Sequence, residues 1–131
     1  MHELEVTTFT AALSGLIYLV LSYRVSQMRM SEKIAMGDGG NAGLIARMRT
    51  QANFGEYVPI ILILMGLIEY QTGYSVLLGI VSAVIILGRV AHAIGMERPS
   101  PNPFRISGAA GTWIVLLVLS IWALILAFQI I

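Results

Sequence analysis

Arg47-Met48-Arg49-Thr50-Gln51-Ala52-Asn53-Phe54-Gly55-Glu56-Tyr57-Val58-Pro59 runs directly into the apolar block Ile60 to Ile68. The two halves read as one continuous helix, polar at its start and of membrane-grade hydrophobicity afterwards. Charges beside or inside a bilayer segment are costly, and where they occur they mark a site. At 100° per residue, Arg49, Asn53, Glu56 and Tyr57 fall within an arc of about 100°. Arg47 and Gln51 point to the opposite side. A helix charged on both sides cannot lean either side on lipid without cost, so protein must flank it, which favours an oligomer with this helix near the subunit contacts.

Composition sets the solvent. The chain is 57% hydrophobic and 11% charged, with a mean hydropathy of +0.83, whereas soluble domains are about 45–50% apolar and about 25% charged. An integral membrane protein is expected. The absence of cysteine excludes a disulfide scaffold, a cysteine metal site and a cysteine nucleophile. A net charge of +1 offers no field for nucleic acid.

Working outward, the apolar runs predict an all-α four-transmembrane-helix bundle. Residues 1–131 form a single domain with helices at about 6–28, 42–70, 75–96 and 106–131. The acidic start, Glu3 and Glu5, lacks the positive region of a signal peptide. Arg24 to Asn41 is a polar loop in which Gly37-Asp38-Gly39-Gly40-Asn41 forms a turn, and Asn41 or Asp38 caps the second helix. That helix, of roughly 28 residues or about 42 Å, exceeds the roughly 30 Å hydrocarbon core, so its polar half should project or be covered. Pro59 is positioned to kink it. Glu69 belongs to the short turn that follows, at the membrane interface. Pro99, Pro101 and Pro103 exclude a helix before residue 106. The fourth segment opens with the small residues Ser107 to Gly111, and Trp113 and Trp122 read as lipid-facing or packing residues.

All eight Lys and Arg residues fall in the first or third connection or beside it. The positive-inside rule therefore puts loops 24–41 and 97–105 in the cytoplasm and both termini outside. It also gathers Arg49 to Tyr57, Arg89, His92 and Arg105 at one end of the bundle.

This set suits a small zwitterion. An arginine fork matches a carboxylate, Glu56 accepts from an ammonium, Asn53 both donates and accepts, and Tyr57 supplies a phenol. The plainer alternative is that Arg49 and Glu56, two turns apart, only neutralise each other inside the bundle. His92 reads alone as a packed histidine, and no partner stands at metal-ligand spacing, so no metal site is expected. No Gly-x-Ser-x-Gly elbow supports serine hydrolysis.

The run Arg49-x-Gln51-x-Asn53-x-x-Glu56-Tyr57-x-Pro59, followed by Gly88-Arg89-x-x-His92-Ala93-x-Gly95, resembles the MAPEG family, the membrane-associated proteins in eicosanoid and glutathione metabolism. The glycine-rich loop resembles the bacterial branch, which implies a bacterial inner membrane. The resemblance covers essentially the whole chain. It implies a homotrimer with glutathione as co-substrate at subunit interfaces and an apolar electrophile or lipid arriving from the bilayer. It further implies that Arg49, Asn53, Glu56, Tyr57 and Arg89 hold glutathione, that Gln51 reaches a site across the interface, and that Arg105 stabilises the thiolate. Arg24 matches a further family arginine. His92 and Met96 stand where the leukotriene-forming members have tyrosines. The implied activity is that of a microsomal-type glutathione S-transferase, with peroxidase activity left open. The alternative is a non-catalytic lipid or anionic-metabolite binding or scaffold protein, since one family member presents lipid without glutathione chemistry.

Overall fold

The structure is a computed structural model that describes residues 3–129. Four helices account for it: α1 (Glu5–Glu32), α2 (Ala42–Thr72), α3 (Val76–Met96) and α4 (Pro103–Ala127). Each is long and apolar enough to cross a membrane, and no strand occurs among the described residues. The all-helical class and the four spans therefore stand as expected.

Three helix ends differ from the expectation: α4 stops at Ala127 and not at 131, where residues 130 and 131 lie outside the described residues, and the other two have local causes. α1 runs past residue 28 to Glu32, because Ser26 to Glu32 contains no glycine or proline and nothing there breaks a helix. It stops at Lys33, which adopts the left-handed conformation (φ 55°) and donates its N–H to the Arg29 carbonyl. Arg29 then holds the loop by donating to the Gly37 carbonyl at 2.7 Å. α4 begins at Pro103 and not at 106. Asn102 caps it by accepting from Phe104 N (3.0 Å) and Arg105 N (3.2 Å). Proline is favourable at the first helical position, where its missing N–H has no intrahelical partner to lose. At the start of α2 the cap is Asn41, whose Oδ1 accepts from Leu44 N at 2.9 Å, while Asp38 closes the preceding turn onto Gly40 N. α2 continues through Pro59.

The apolar core lies in the lower part of α2, α3 and α4, around Ile61, Met65, Leu78, Ile85, Val115 and Leu119. A smaller cluster of Leu21, Phe54, Val58 and Ala93 underlies the charged end. In lipid there is little hydrophobic force between helices, so close approach and interhelical hydrogen bonds carry the packing. The closest approaches join α3 to α4. A Cβ on Gly108 would lie 2.5 Å from the Gly88 carbonyl oxygen, and one on Gly95 would lie 2.2 Å from Arg105 N. Asn102 adds a bond from its Nδ2 to the Gly95 carbonyl at 3.0 Å. α1 meets α3 through a buried hydrogen bond of 2.6 Å between the Thr10 and Ser82 hydroxyls.

Glu69 corrects an expectation. It lies within α2 and not in the turn that follows, is fully buried, and its carboxylate caps α1 from another helix. Oε1 accepts from Val6 N at 2.9 Å and Oε2 from Thr7 N at 2.8 Å. α1 has no side-chain cap of its own, and a helix N-terminus leaves N–H groups and a partial positive charge unmatched. Glu69→Gln keeps one acceptor and turns an NH2 towards the second N–H. It is expected to destabilise the protein by about 1–3 kcal/mol, with the loss seen as faster hydrogen exchange at Val6 and Thr7 before global unfolding.

Candidate functional site

At the charged end, three helices bring polar side chains to one place. α2 contributes Asn53 and Tyr57, α3 contributes Arg89 and His92, and α4 contributes Thr112 and Trp113. Arg89 is at the centre and only 2% exposed. Its Nη2 donates to Asn53 Oδ1 at 2.6 Å, and its Nη1 donates to Thr112 Oγ1 at 3.2 Å. Nη2 also meets His92 Nδ1 at 3.3 Å. A guanidinium only donates, so Nδ1 accepts and the imidazole proton resides on Nε2. Phe54 closes the site from below, its ring centre 5.8 Å from the guanidinium carbon. Arg89 Nε is buried with no hydrogen-bond partner. Thr112 passes its own proton to the Gly108 carbonyl at 2.8 Å. One turn along α2, the Tyr57 hydroxyl accepts from Trp113 Nε1 at 3.2 Å.

The helical phase of α2 separates the other expected residues. Arg49 and Glu56 are exposed, and among the described residues neither takes part in an ion pair or side-chain hydrogen bond. The two ion pairs present both use Glu97, so mutual neutralisation of Arg49 and Glu56 is not realised. On the opposite side of α2, Arg47 and Gln51 face α1 of the same chain. Gln51 Nε2 donates to Ser22 Oγ at 2.9 Å, and Arg47 donates to the Arg24 carbonyl at 2.8 Å. The protein demanded on that side is thus supplied within the chain. Arg24 pairs with Glu97, which also accepts from Arg47 Nε at 3.2 Å. Arg105 is exposed on the first turn of α4. Its backbone is seated against Gly95, and its side chain makes no hydrogen bond or ion pair with the described residues.

Asn53, Arg89 and His92 are therefore joined directly, and Tyr57, one turn along α2 from Asn53, bonds to Trp113, the residue after Thr112. Arg24 and Gln51 lie on the other side of α2, while Arg49, Glu56 and Arg105 are open. Three contributors escaped the sequence reading. Thr112 lies four residues after Gly108 and follows it into the close α3–α4 contact, a signal available in the spacing. Trp113 was assigned to lipid or packing, and its exposed ring is compatible with that apart from the bond to Tyr57. Glu97 is the only carboxylate after Glu69, set beside Arg98, which marks it as a candidate partner for a distant arginine.

Helices, spacing and cluster define a polar arginine-centred site at one end of a four-span bundle. The MAPEG family model matches residues 7–125, and the chain belongs to the MAPEG family. It is 32% identical over 114 residues to the inner membrane protein YecN of Escherichia coli strain K12, covering 87% of this chain and 86% of that one. The same figures hold for inner membrane protein YecN of Escherichia coli O6:H1 strain CFT073. No solved structure matches the chain.

Proposed function

We propose that this protein is a membrane-bound glutathione transferase that binds glutathione at the charged end of the bundle and presents its thiol to an apolar electrophile from the bilayer. The observation that supports this most is the state of α2. Its face towards α3 and α4 is organised around a buried arginine, while Arg49 and Glu56 on the same helix stand exposed and unpaired. Ionised groups on a membrane helix call for a partner. A tripeptide with two carboxylates and an ammonium supplies both signs, and the orphaned Arg89 Nε fits an additional acceptor.

The same face continues as exposed Ile60, Ile63 and Leu67, an apolar strip suited to a neighbouring subunit. We read it as the contact of a homotrimer, in which Gln51 of one chain reaches the site of the next. The distribution of Lys and Arg favours a cytoplasmic charged end with the termini outside, and the YecN relatives favour the bacterial inner membrane. In this arrangement Arg49, Asn53, Glu56, Tyr57, Arg89 and His92 hold glutathione. The thiol has a free pKa of about 8.5, and an arginine beside it raises the thiolate fraction. Arg105 is assigned that role.

Calorimetry of glutathione binding to the detergent-solubilised protein tests the reading. Arg49→Ala removes a charge-assisted bond worth about 1.5–3 kcal/mol, so affinity is expected to fall roughly 10- to 150-fold. Arg105→Ala is expected to bind glutathione but to lose the thiolate absorbance that wild type develops on mixing. Neither heat nor thiolate with wild type would sink the proposal. Binding without thiolate would leave the second reading, non-catalytic capture of an anionic metabolite. That reading is favoured by one observation, the lack of contact between Arg105 and the Arg89 cluster within a chain.

A further inference from the structure

We propose that each subunit binds one anionic phospholipid of the surrounding leaflet between α1 and α3, with its headgroup at Arg24, Arg47 and Arg98. The site lies on the opposite side of α2 from the Asn53–Arg89 cluster of the same chain, and its test reads lipid retention and not glutathione binding.

α1 and α3 are tied by Thr10 and Ser82, and towards the charged end an apolar groove of ≈ 620 Å³ lies between them. Leu16 and Val20 from α1 and Val90 and Ile94 from α3 line it, and all four are exposed in the subunit. Such a groove accepts an acyl chain laterally from the bilayer.

The groove has a polar continuation. Glu97 and Arg98 line both it and an adjoining recess of ≈ 560 Å³ that also contains Arg47. Arg24 lines the groove at its mouth. Three guanidiniums thus meet a single carboxylate, and that carboxylate is shared by Arg24 and Arg47. Arg98 has no ion pair among the described residues and stacks over the Phe104 ring at 4.7 Å, which holds it beside the mouth. The rim carries a net charge of +2, matched to a phosphate at the level where an acyl chain leaves the groove. Basic pockets between spanning helices select anionic headgroups in this way. The adjacency of apolar groove and cationic recess is the shape of an amphiphile, and a second protein copy would have no need of the recess.

Native mass spectrometry of the full chain, delipidated and titrated with phosphatidylglycerol or phosphatidylcholine of equal chain length, provides the test. Wild type is expected to retain one phosphatidylglycerol per chain with at least about fivefold preference over phosphatidylcholine. Arg98→Gln should reduce that preference about fivefold, and Val20→Trp should reduce retention of both lipids by filling the groove. Equal retention of the two lipids by wild type would overturn the proposal, as would unchanged binding in folded Val20→Trp. A spin label on Val20→Cys, in a chain with no other cysteine, distinguishes the occupants after reconstitution. Relaxation by lipid-soluble oxygen supports lipid in the groove, whereas protection from oxygen means that a second copy covers it and overturns the assignment.

Discussion

Gly108→Ala is expected to destabilise the detergent-solubilised protein by about 2 kcal/mol, while Gly111→Ala, one turn further along the same helix, leaves it unchanged or slightly more stable. Both substitutions gain roughly 1 kcal/mol of helix propensity, so the difference between them isolates the contact. A Cβ on Gly108 would lie 2.5 Å from the Gly88 carbonyl oxygen, 2.7 Å from His92 Cβ and 2.8 Å from His92 N. Two of these atoms are backbone and cannot rotate away, so α3 and α4 must part by at least about half an ångström. Overpacking of this kind costs about 1–3 kcal/mol and sometimes more. On Gly111 the nearest atom is Val84 Cγ1 at 3.6 Å, an ordinary contact. The damage also reaches the site. Arg89 bonds to Thr112 across the same helix pair at 3.2 Å, so separation stretches a bond that is already long. Thermal unfolding of the two variants, read beside glutathione calorimetry, checks both consequences. Equal stability of Gly108→Ala and Gly111→Ala would mean that α3 and α4 are not in contact there.

The residues that were legible in the sequence are those whose neighbours follow from a local period. Four apolar runs gave the spans, and the 100° step of α2 correctly placed Gln51 on the side away from Asn53. The same step grouped Arg49 and Glu56 with Asn53 and Tyr57 in one arc, whereas in the folded chain they stand exposed beside it. The small residues at 107–111 are visible in the sequence, but their close packing against the backbone at Gly88 comes only from the folded chain. What stayed hidden are pairings between distant segments. Glu69 caps α1 across more than 60 residues, and nothing local distinguishes a carboxylate at a membrane interface from one that answers another helix's free N–H groups. Glu97 likewise draws Arg24 and Arg47 together from two other helices. Pro103 was misread because alternating prolines resemble an extended segment, whereas a proline directly after a capping asparagine is a favourable helix start. The proposed glutathione site shows the same division, with Asn53 and Arg89 each recognisable by type and their bond to one another found only in three dimensions.

Arg89→Met is expected to abolish measurable glutathione binding, a loss of at least about 100-fold, while changing stability by no more than about 2 kcal/mol in either direction. The modest stability change follows from two opposed effects. Methionine leaves Asn53 Oδ1 and His92 Nδ1 without their donor, at about 1–3 kcal/mol for each buried group left unsatisfied. It also removes a guanidinium that is only 2% exposed and whose desolvation costs several kcal/mol. Binding has no such compensation in the proposed site. The variant loses the unpaired Nε donor and the bonds that fix Asn53 and His92, so ligand contacts and the preorganisation of their neighbours disappear together. Arg89→Lys separates charge from shape. An ammonium retains the charge but has no planar fork, and it cannot reproduce bonds to Asn53 on α2 and Thr112 on α4 with the same geometry. It is expected to stay folded and to recover only a small part of the affinity. The checking measurement pairs calorimetry with thermal unfolding for each variant. Wild-type glutathione affinity in Arg89→Met, whatever its stability, would reduce Arg89 to a tie between helices and remove it from the binding site.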